Sequence, residues 1–339
     1  MNIAPQTLRI IALLVVLALV TAFFASVIPN YFNARLFNRI SSSVAIMALI
    51  ATAQTLVILT RSIDLSLGSI VGFTAFATGS IVSGHPAAQP LVLVGYAMLV
   101  GAGFGLINGA LVAYAKVPSI IVTLATMAIF RSFLVEYSDA KSITAAQLPP
   151  WLVDFPNLVL FEVGGVEFRA AFMAAVTVVL LVHIALSRLR PARQFYAVGS
   201  NPEAAEMAGI NSKRTVFVAF VLAGALAGLA GFMFLARFGT ITVVAGLGFE
   251  FKSVAAAVVG GVNIFGGSGT AFGALIGAVM IDLIDTSLVR WDLVSEFWRE
   301  AVLGALILTA VAVDAILMRR LVALRVRREK ERNTKGAKP

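Results

Sequence analysis

Apolar runs of roughly 20 residues recur along the chain, each closed by a short polar, glycine-bearing or proline-bearing stretch, and this rhythm predicts membrane-spanning helices. The runs cover residues 8–28, 41–60, 65–82, 90–115, 119–137, 169–187, 215–237, 251–264, 270–288 and 297–318. Inside lipid no water meets the backbone, so each run must close its own hydrogen bonds as a helix. The predicted fold is all-α, a polytopic membrane helical bundle of about ten spans. The run at 251–264 is short for a crossing and lies among Gly260, Gly261, Gly266 and Gly267, the pattern of a broken or half-buried helix.

Two connections interrupt the rhythm. One, residues 138–168, mixes charges with Pro149, Pro150, Trp151 and Pro156. The other, residues 188–214, is polar between basic flanks. Within it Asn201 suits a helix N-cap, Pro202 the first helical position, Glu203 the first turn, where the helix dipole favours an acid, and Gly209 the left-handed stop. These residues specify about two turns of helix, too short to persist alone in water, so the element needs a surface to pack on. That surface is either its own bundle or a soluble partner.

Composition agrees with the pattern: 60% apolar residues, 13% charged residues and a mean hydropathy of +0.96 exclude an ordinary soluble core. With 339 residues spent mostly on spans, one transmembrane domain over residues 1–318 and a basic tail over 319–339 account for the chain. Cysteine is absent, which excludes disulfides, thiolate metal sites and thiol nucleophiles.

Much of the net charge of +9 lies in the tail, from Arg319 and Arg320 to Lys335 and Lys338, directly after an apolar run. Basic residues there follow the positive-inside rule and argue for a cytoplasmic end rather than for nucleic-acid binding. Arg188, Arg190, Arg193, Lys213 and Arg214 place the 188–214 loop on the same side. Four spans separate loop from tail and six precede the loop, so both termini are expected in the cytoplasm and residues 138–168 outside. The first run lacks a cleavage pattern and is expected to remain as a span.

Few polar groups remain within the apolar background. Asp64 follows Arg61 between the second and third runs, and Arg61 is placed to neutralise it. Asp64 is either a helix-capping carboxylate or part of a gate or pathway, with Ser66 and Ser69 beside it. Asn108 lies in an apolar helix and either bonds a neighbouring helix or faces the pathway. The island from Gly260 to Thr270, with Asn263, Gly266 and Gly267, provides either a tight turn or pathway contacts. The small-residue runs at 101–105 and 224–231 are expected to pack helices closely. No phosphate-cradling Gly-x-x-x-x-Gly-Lys-Ser/Thr loop occurs, so the chain is not read as an enzyme.

Three stretches together resemble the ribose-type permeases of ATP-binding-cassette (ABC) sugar importers. They are Ile63-Asp64-Leu65-Ser66-Leu67-Gly68-Ser69, the loop from Ala197 to Ile210, and Ala255 to Gly261 running into Phe265-Gly266-Gly267-Ser268-Gly269. The resemblance covers residues 41 to about 314. It implies that Asn201, Pro202, Glu203, Ala204, Ala205, Glu206 and Gly209 form a coupling helix seated in a groove of a cytoplasmic ATPase subunit. Where the ribose-type pattern has Gly-Gly, this chain has Arg61-Ser62, which is similar to the rhamnose and autoinducer branch. The stretches Arg237 to Gly246, Gly260 to Gly267, and Arg290-Trp291 followed by Ser295 to Arg299 resemble rhamnose permeases in particular.

The resemblance further implies alternating access in the inner membrane of a bacterial cell. It implies a second permease subunit, as homodimer or paralogous heterodimer, and an extracytoplasmic sugar-binding protein touching residues 138–168 and 290–296. No cofactor is expected on this chain; ATP and Mg²⁺ would be used by the partner ATPase. Asp64, Ser66, Ser69, Asn108, Asn263, Gly266 and Gly267 are the expected pathway or gating residues. A permease for branched-chain amino acids or nucleosides fits the Ile63 to Ser69 stretch less well. An ion-coupled secondary transporter would carry more midplane charge than Asp64, with Asp282 and Asp285 near the end of a span.

Overall fold

The computed structural model describes residues 5–291 and, beyond them, residues 298, 301–302, 304–305 and 308–309. Its helices are α1 (Pro5–Val27), α2 (Ala34–Leu59), α3 (Leu67–Gly84), α4 (Pro90–Ala113), α5 (Ser119–Ser138), α6 (Pro150–Asp154), α7 (Ala170–Arg188), α8 (Arg190–Ser200), α9 (Pro202–Met207), α10 (Ser212–Phe238), α11 (Phe249–Val259) and α12 (Ala271–Arg290). Of these, α1, α2, α3, α4, α5, α7, α10 and α12 are long and apolar enough to cross a membrane. The chain is a helical polytopic membrane protein. Most of the expected span at 297–318 and all of the tail at 319–339 lie outside the described residues.

The expected run at 251–264 resolves into α11, whose 11 residues rise only about 16 Å against a hydrocarbon core of about 30 Å. Gly261, at φ 87°, ends it, and residues 260–269 continue as turns. At the contact of α11 with α12, backbone meets backbone. Gly260 lies against Gly273, and Gly277 against Ala256, so closely that a Cβ on any of these glycines would collide with main chain.

Besides the one-turn α6, two elements were not expected from the apolar rhythm. Residues 138–168 contain a hairpin, β1 (Val159–Val163) with β2 (Val166–Arg169), turned by Gly164 and Gly165 at φ 59° and 84°. A type I′ turn needs positive φ at both central residues, which glycine supplies. Phe161 stacks on Phe168 at 4.5 Å, and the backbone N–H of Glu167 donates to the Asn38 side chain on α2 at 3.0 Å. The second element is α8. It buries Phe195, Val198 and Gly199 while Arg190 and Arg193 stay exposed, an amphipathic pattern too polar overall to read as a span.

The core is built around α2, which is buried without a break from Val44 to Leu59. Helix α10 packs across α2, α3 and α4. At its contact with α4, Gly101 and Gly105 meet Gly224 and Gly228; a Cβ on Gly224 would come within 2.9 Å of the Gly105 Cα. The small-residue runs thus pack helices backbone to backbone, the usual source of helix association where lipid and side chains are equally apolar. Leu91, Leu99, Ile121 and Leu181 remain exposed on the outer surface, where lipid would cover them.

Candidate coupling junction

The turn between α2 and α3 holds the first half of the site. Helix α2 closes with Arg61 N–H bonded to the Ile58 carbonyl at 2.9 Å and Ser62 N–H to the Val57 carbonyl at 3.2 Å, and Arg61 takes left-handed backbone at φ 63°. A left-handed residue at a helix end turns the chain sharply. After it the chain re-enters the core, and Asp64, Ser66 and Asn108 are each fully buried.

There the polar groups bond one another, leaving Asp64 Oδ2 and Asn108 Oδ1 buried without a hydrogen-bond partner among the described residues. Asp64 Oδ1 accepts from the Ser66 backbone N–H at 2.8 Å and from the Ser66 hydroxyl at 2.6 Å. Asn108 on α4 donates to the same hydroxyl at 2.8 Å. Gln54 on α2, with its amide turned to suit both partners, brackets the Asp64 backbone, donating to the carbonyl at 2.9 Å and accepting from the N–H at 3.3 Å. From α5, Ser119 accepts the Ile63 N–H at 3.1 Å, Thr123 donates to the Ile63 carbonyl at 3.2 Å, and Ser69 on α3 donates to the Met127 carbonyl at 2.9 Å. A carboxylate in such a place needs these donors, because burying it without them is costly. The two bonds from Ser66 to Asp64 close the turn before α3, and Asn108 links α4 to that turn.

The expected pairing of Arg61 with Asp64 does not form. Asp64 turns inward, whereas Arg61 reaches away from the knot and across to α8, where Nε donates to the Gly199 carbonyl and Nη2 to the Ser200 carbonyl, both at 2.6 Å. The fork of a guanidinium suits two adjacent carbonyls at a helix C-terminus, the negative end of its dipole.

Glycines let this second half close. Gly199 has no room for a Cβ against the Leu59 carbonyl and the Gly267 N–H; a Cβ on Gly266 would sit 2.6 Å from Arg61 Cγ, and one on Gly267 2.5 Å from Ser200 Oγ. Gly266 and Gly267 also require φ of 86° and 72°. Gly267 N–H donates to the Leu59 carbonyl at 3.1 Å, and Tyr196 on α8 donates to the Gly269 carbonyl at 3.0 Å. Burial pushes the Tyr196 phenol up to about 12, which keeps it protonated as that donor. Asn263 bonds within its own turn, its side chain accepting from Phe265 N–H at 3.0 Å. The expected pathway residues therefore divide between two places. Asp64, Ser66, Ser69 and Asn108 lie in the knot at the head of α3, and Asn263, Gly266 and Gly267 in the turn against α8.

Helix α9 hangs from this junction. Asn201 ends α8 and begins α9, its side chain accepting from Ala204 N–H at 3.1 Å. At the other end Ile210 N–H bonds back to the Ala205 carbonyl at 2.9 Å and Gly209 stands at φ 79°. Only Ala205 of this helix is buried; Glu203, Ala204, Glu206 and Met207 are exposed, Met207 to 91%. Sequence reasoning found the caps and missed the helix before them, together with Gln54, Arg61 as a cross-link, and the α5 hydroxyls. Gln54 was open to discovery as a lone amide in an apolar run; the Arg61 contact spans 138 residues of sequence and left no local signal.

Comparison with known proteins adds the relationship. The chain is 34% identical over 307 residues to the autoinducer 2 import system permease protein of Yersinia enterocolitica, covering 90% of this chain and 82% of that protein. It is 33% identical over 303 residues to the D-allose transport system permease protein of Escherichia coli K12, covering 89% and 90% respectively. No solved structure matches it. Residues 36–311 match the family described as the branched-chain amino acid transport system / permease component, and the chain belongs to that family of multi-pass bacterial inner-membrane permeases.

Proposed function

We propose that the chain is the membrane-spanning subunit of an ABC importer for a monosaccharide-like substrate. The observation that carries this reading is the exposed, doubly capped α9 joined through Asn201, Gly199, Ser200 and Arg61 to the buried polar knot at the head of α3. In this reading Glu203, Ala204, Glu206 and Met207 face the groove of a cytoplasmic ATPase, and Ala205 seats the helix on its own bundle. ATP-driven closure of that partner moves α9; α8 carries the movement to Arg61, and the rigid turn at 61–66 passes it to α2, α3 and α4. A second permease subunit and an extracytoplasmic binding protein complete the transporter, with both termini in the cytoplasm.

The substrate reading rests on the relatives. They are named for autoinducer 2 and D-allose, and neither is named for rhamnose, so the rhamnose expectation widens to compact polyhydroxylated molecules. The family description names branched-chain amino acids, and the sugar reading follows the relatives that share most of the chain's length. Purified chain reconstituted in proteoliposomes with its ATPase and binding protein tests the proposal. Uptake of labelled sugar should require ATP and persist when a proton uncoupler is added; uptake that ignores ATP and collapses with the gradient would overturn it.

A further inference from the structure

Two cavities meet at Arg237, at the end of the bundle away from α8 and α9. The outer one, about 500 Å³, is polar and mostly basic, walled by Arg35, Arg39 and Asn38 of α2 and by Asn157, Glu167 and Arg169. The inner one, about 200 Å³, is walled by Ser43 of α2, Phe249 and Lys252 of α11, and Asp282 and Asp285 of α12, with Arg237 shared. Together they fall within the range of about 300–1,000 Å³ common for small-molecule sites.

The charges of the inner cavity are not all spent. Lys252 and Asp285 close an ion pair at 2.9 Å. Arg237 and Asp282 attract one another without closing one, and Arg237 Nη1 and Asp282 Oδ2 are each buried with no hydrogen-bond partner among the described residues. A buried donor and a buried acceptor left unpaired on two residues that line one cavity are expensive unless the side chains turn to a guest that satisfies them. A hydroxyl has both functions, accepting from a group such as Nη1 and donating to one such as Oδ2. Around the inner cavity Arg237 and Lys252 balance Asp282 and Asp285, so a carboxylate would meet Asp282, an ammonium would meet Arg237, and a neutral guest meets neither penalty there. Phe238 and Phe249 supply apolar wall to its C–H faces.

We infer that this cleft is the receiving site for the transported molecule and that Arg237 and Asp282 read one of its hydroxyls, the ligand being a neutral polyhydroxylated molecule of monosaccharide size. The inference rests on the importer reading and deepens it.

The chain has no cysteine, so Ser43→Cys places a single thiol in the cleft. The reconstituted complex is first assayed for uptake of D-allose, L-rhamnose, D-ribose and autoinducer 2. The substrate it moves should slow labelling of Ser43→Cys by a polar maleimide at least threefold, and Asp282→Asn should raise the KM for uptake about tenfold while ATPase stimulation by the binding protein persists. Should Asp282→Asn fail to insert, Arg237→Gln takes its place in the KM measurement. A complex that moves none of the four overturns the monosaccharide reading and the cleft with it. A complex that moves one of them, with labelling unslowed or KM unchanged, overturns the cleft alone.

Discussion

Asn108 is a single amide in an apolar helix, yet its bond to the Ser66 hydroxyl ties α4 to the turn that begins α3. Asn108→Leu leaves Ser66 and Asp64 short of a donor in a dry site, and a lost buried partner of this kind costs about 1–3 kcal/mol. The melting temperature of the detergent-purified protein should fall accordingly. Because both residues act through one hydroxyl, Ser66→Ala added to Asn108→Leu should cost less than the sum of the single changes; strictly additive losses would show that the knot is not a unit. Arg61 makes a different claim. Arg61→Lys keeps the charge but cannot fork across the Gly199 and Ser200 carbonyls, so the number of ATP molecules hydrolysed per sugar moved should rise while the protein still inserts. Unchanged stoichiometry would remove Arg61 from the coupling path.

At the scale of elements, α9 has two faces that substitution should separate. Met207 and Glu203 are exposed, and changes at such positions usually alter stability by no more than about 0.5 kcal/mol. Met207→Glu and Glu203→Lys should therefore leave melting unchanged while abolishing co-purification with the ATPase. Ala205 is only 4% exposed, so Ala205→Phe should instead lower melting, as overpacking costs about 1–3 kcal/mol. Retained ATPase binding in both surface variants would refute the docking face. The caps of this helix were legible in sequence because Asn201, Pro202, Glu203 and Gly209 act within a few residues of one another. Helix α8 was hidden by its mixed composition, although Pro191 near its start and the spacing of Phe195 and Val198 carry the helical signal. The hairpin at 159–169 left a mark too, Gly164-Gly165 between alternating residues, but it lies in a segment whose prolines and charges read as loop.

For the whole molecule, hydropathy alone located the spans that the structure describes, since only a helix satisfies its backbone in lipid. It could not say which helix lies at the centre. Helices α2 and α4 are similarly apolar, yet α2 is enclosed and α4 exposes Leu91, Leu99 and Leu106. That distinction depends on which faces carry glycine opposite glycine, a matter of two distant segments at once. Replacing Gly228 by Leu should accordingly disperse the bundle, lowering the yield of monodisperse protein, whereas Gly103→Leu, with open space around it, should leave the yield unchanged. Equal yields would show that the α4–α10 contact does not hold the bundle together. The cleft around Arg237 was likewise invisible, because its walls come from α2, α10, α11 and α12 and no local pattern marks it.

The contact between α11 and α12, where Gly260, Gly273, Gly277 and Ala256 meet main chain to main chain, works as a plain bearing. Interdigitated side chains hold a helix in discrete settings, and passing from one to the next costs a jump of about a turn. A surface without teeth has no such settings. Helix α12 therefore takes no register from α11, and the side chains it buries against α1, α2 and α7 fix its setting.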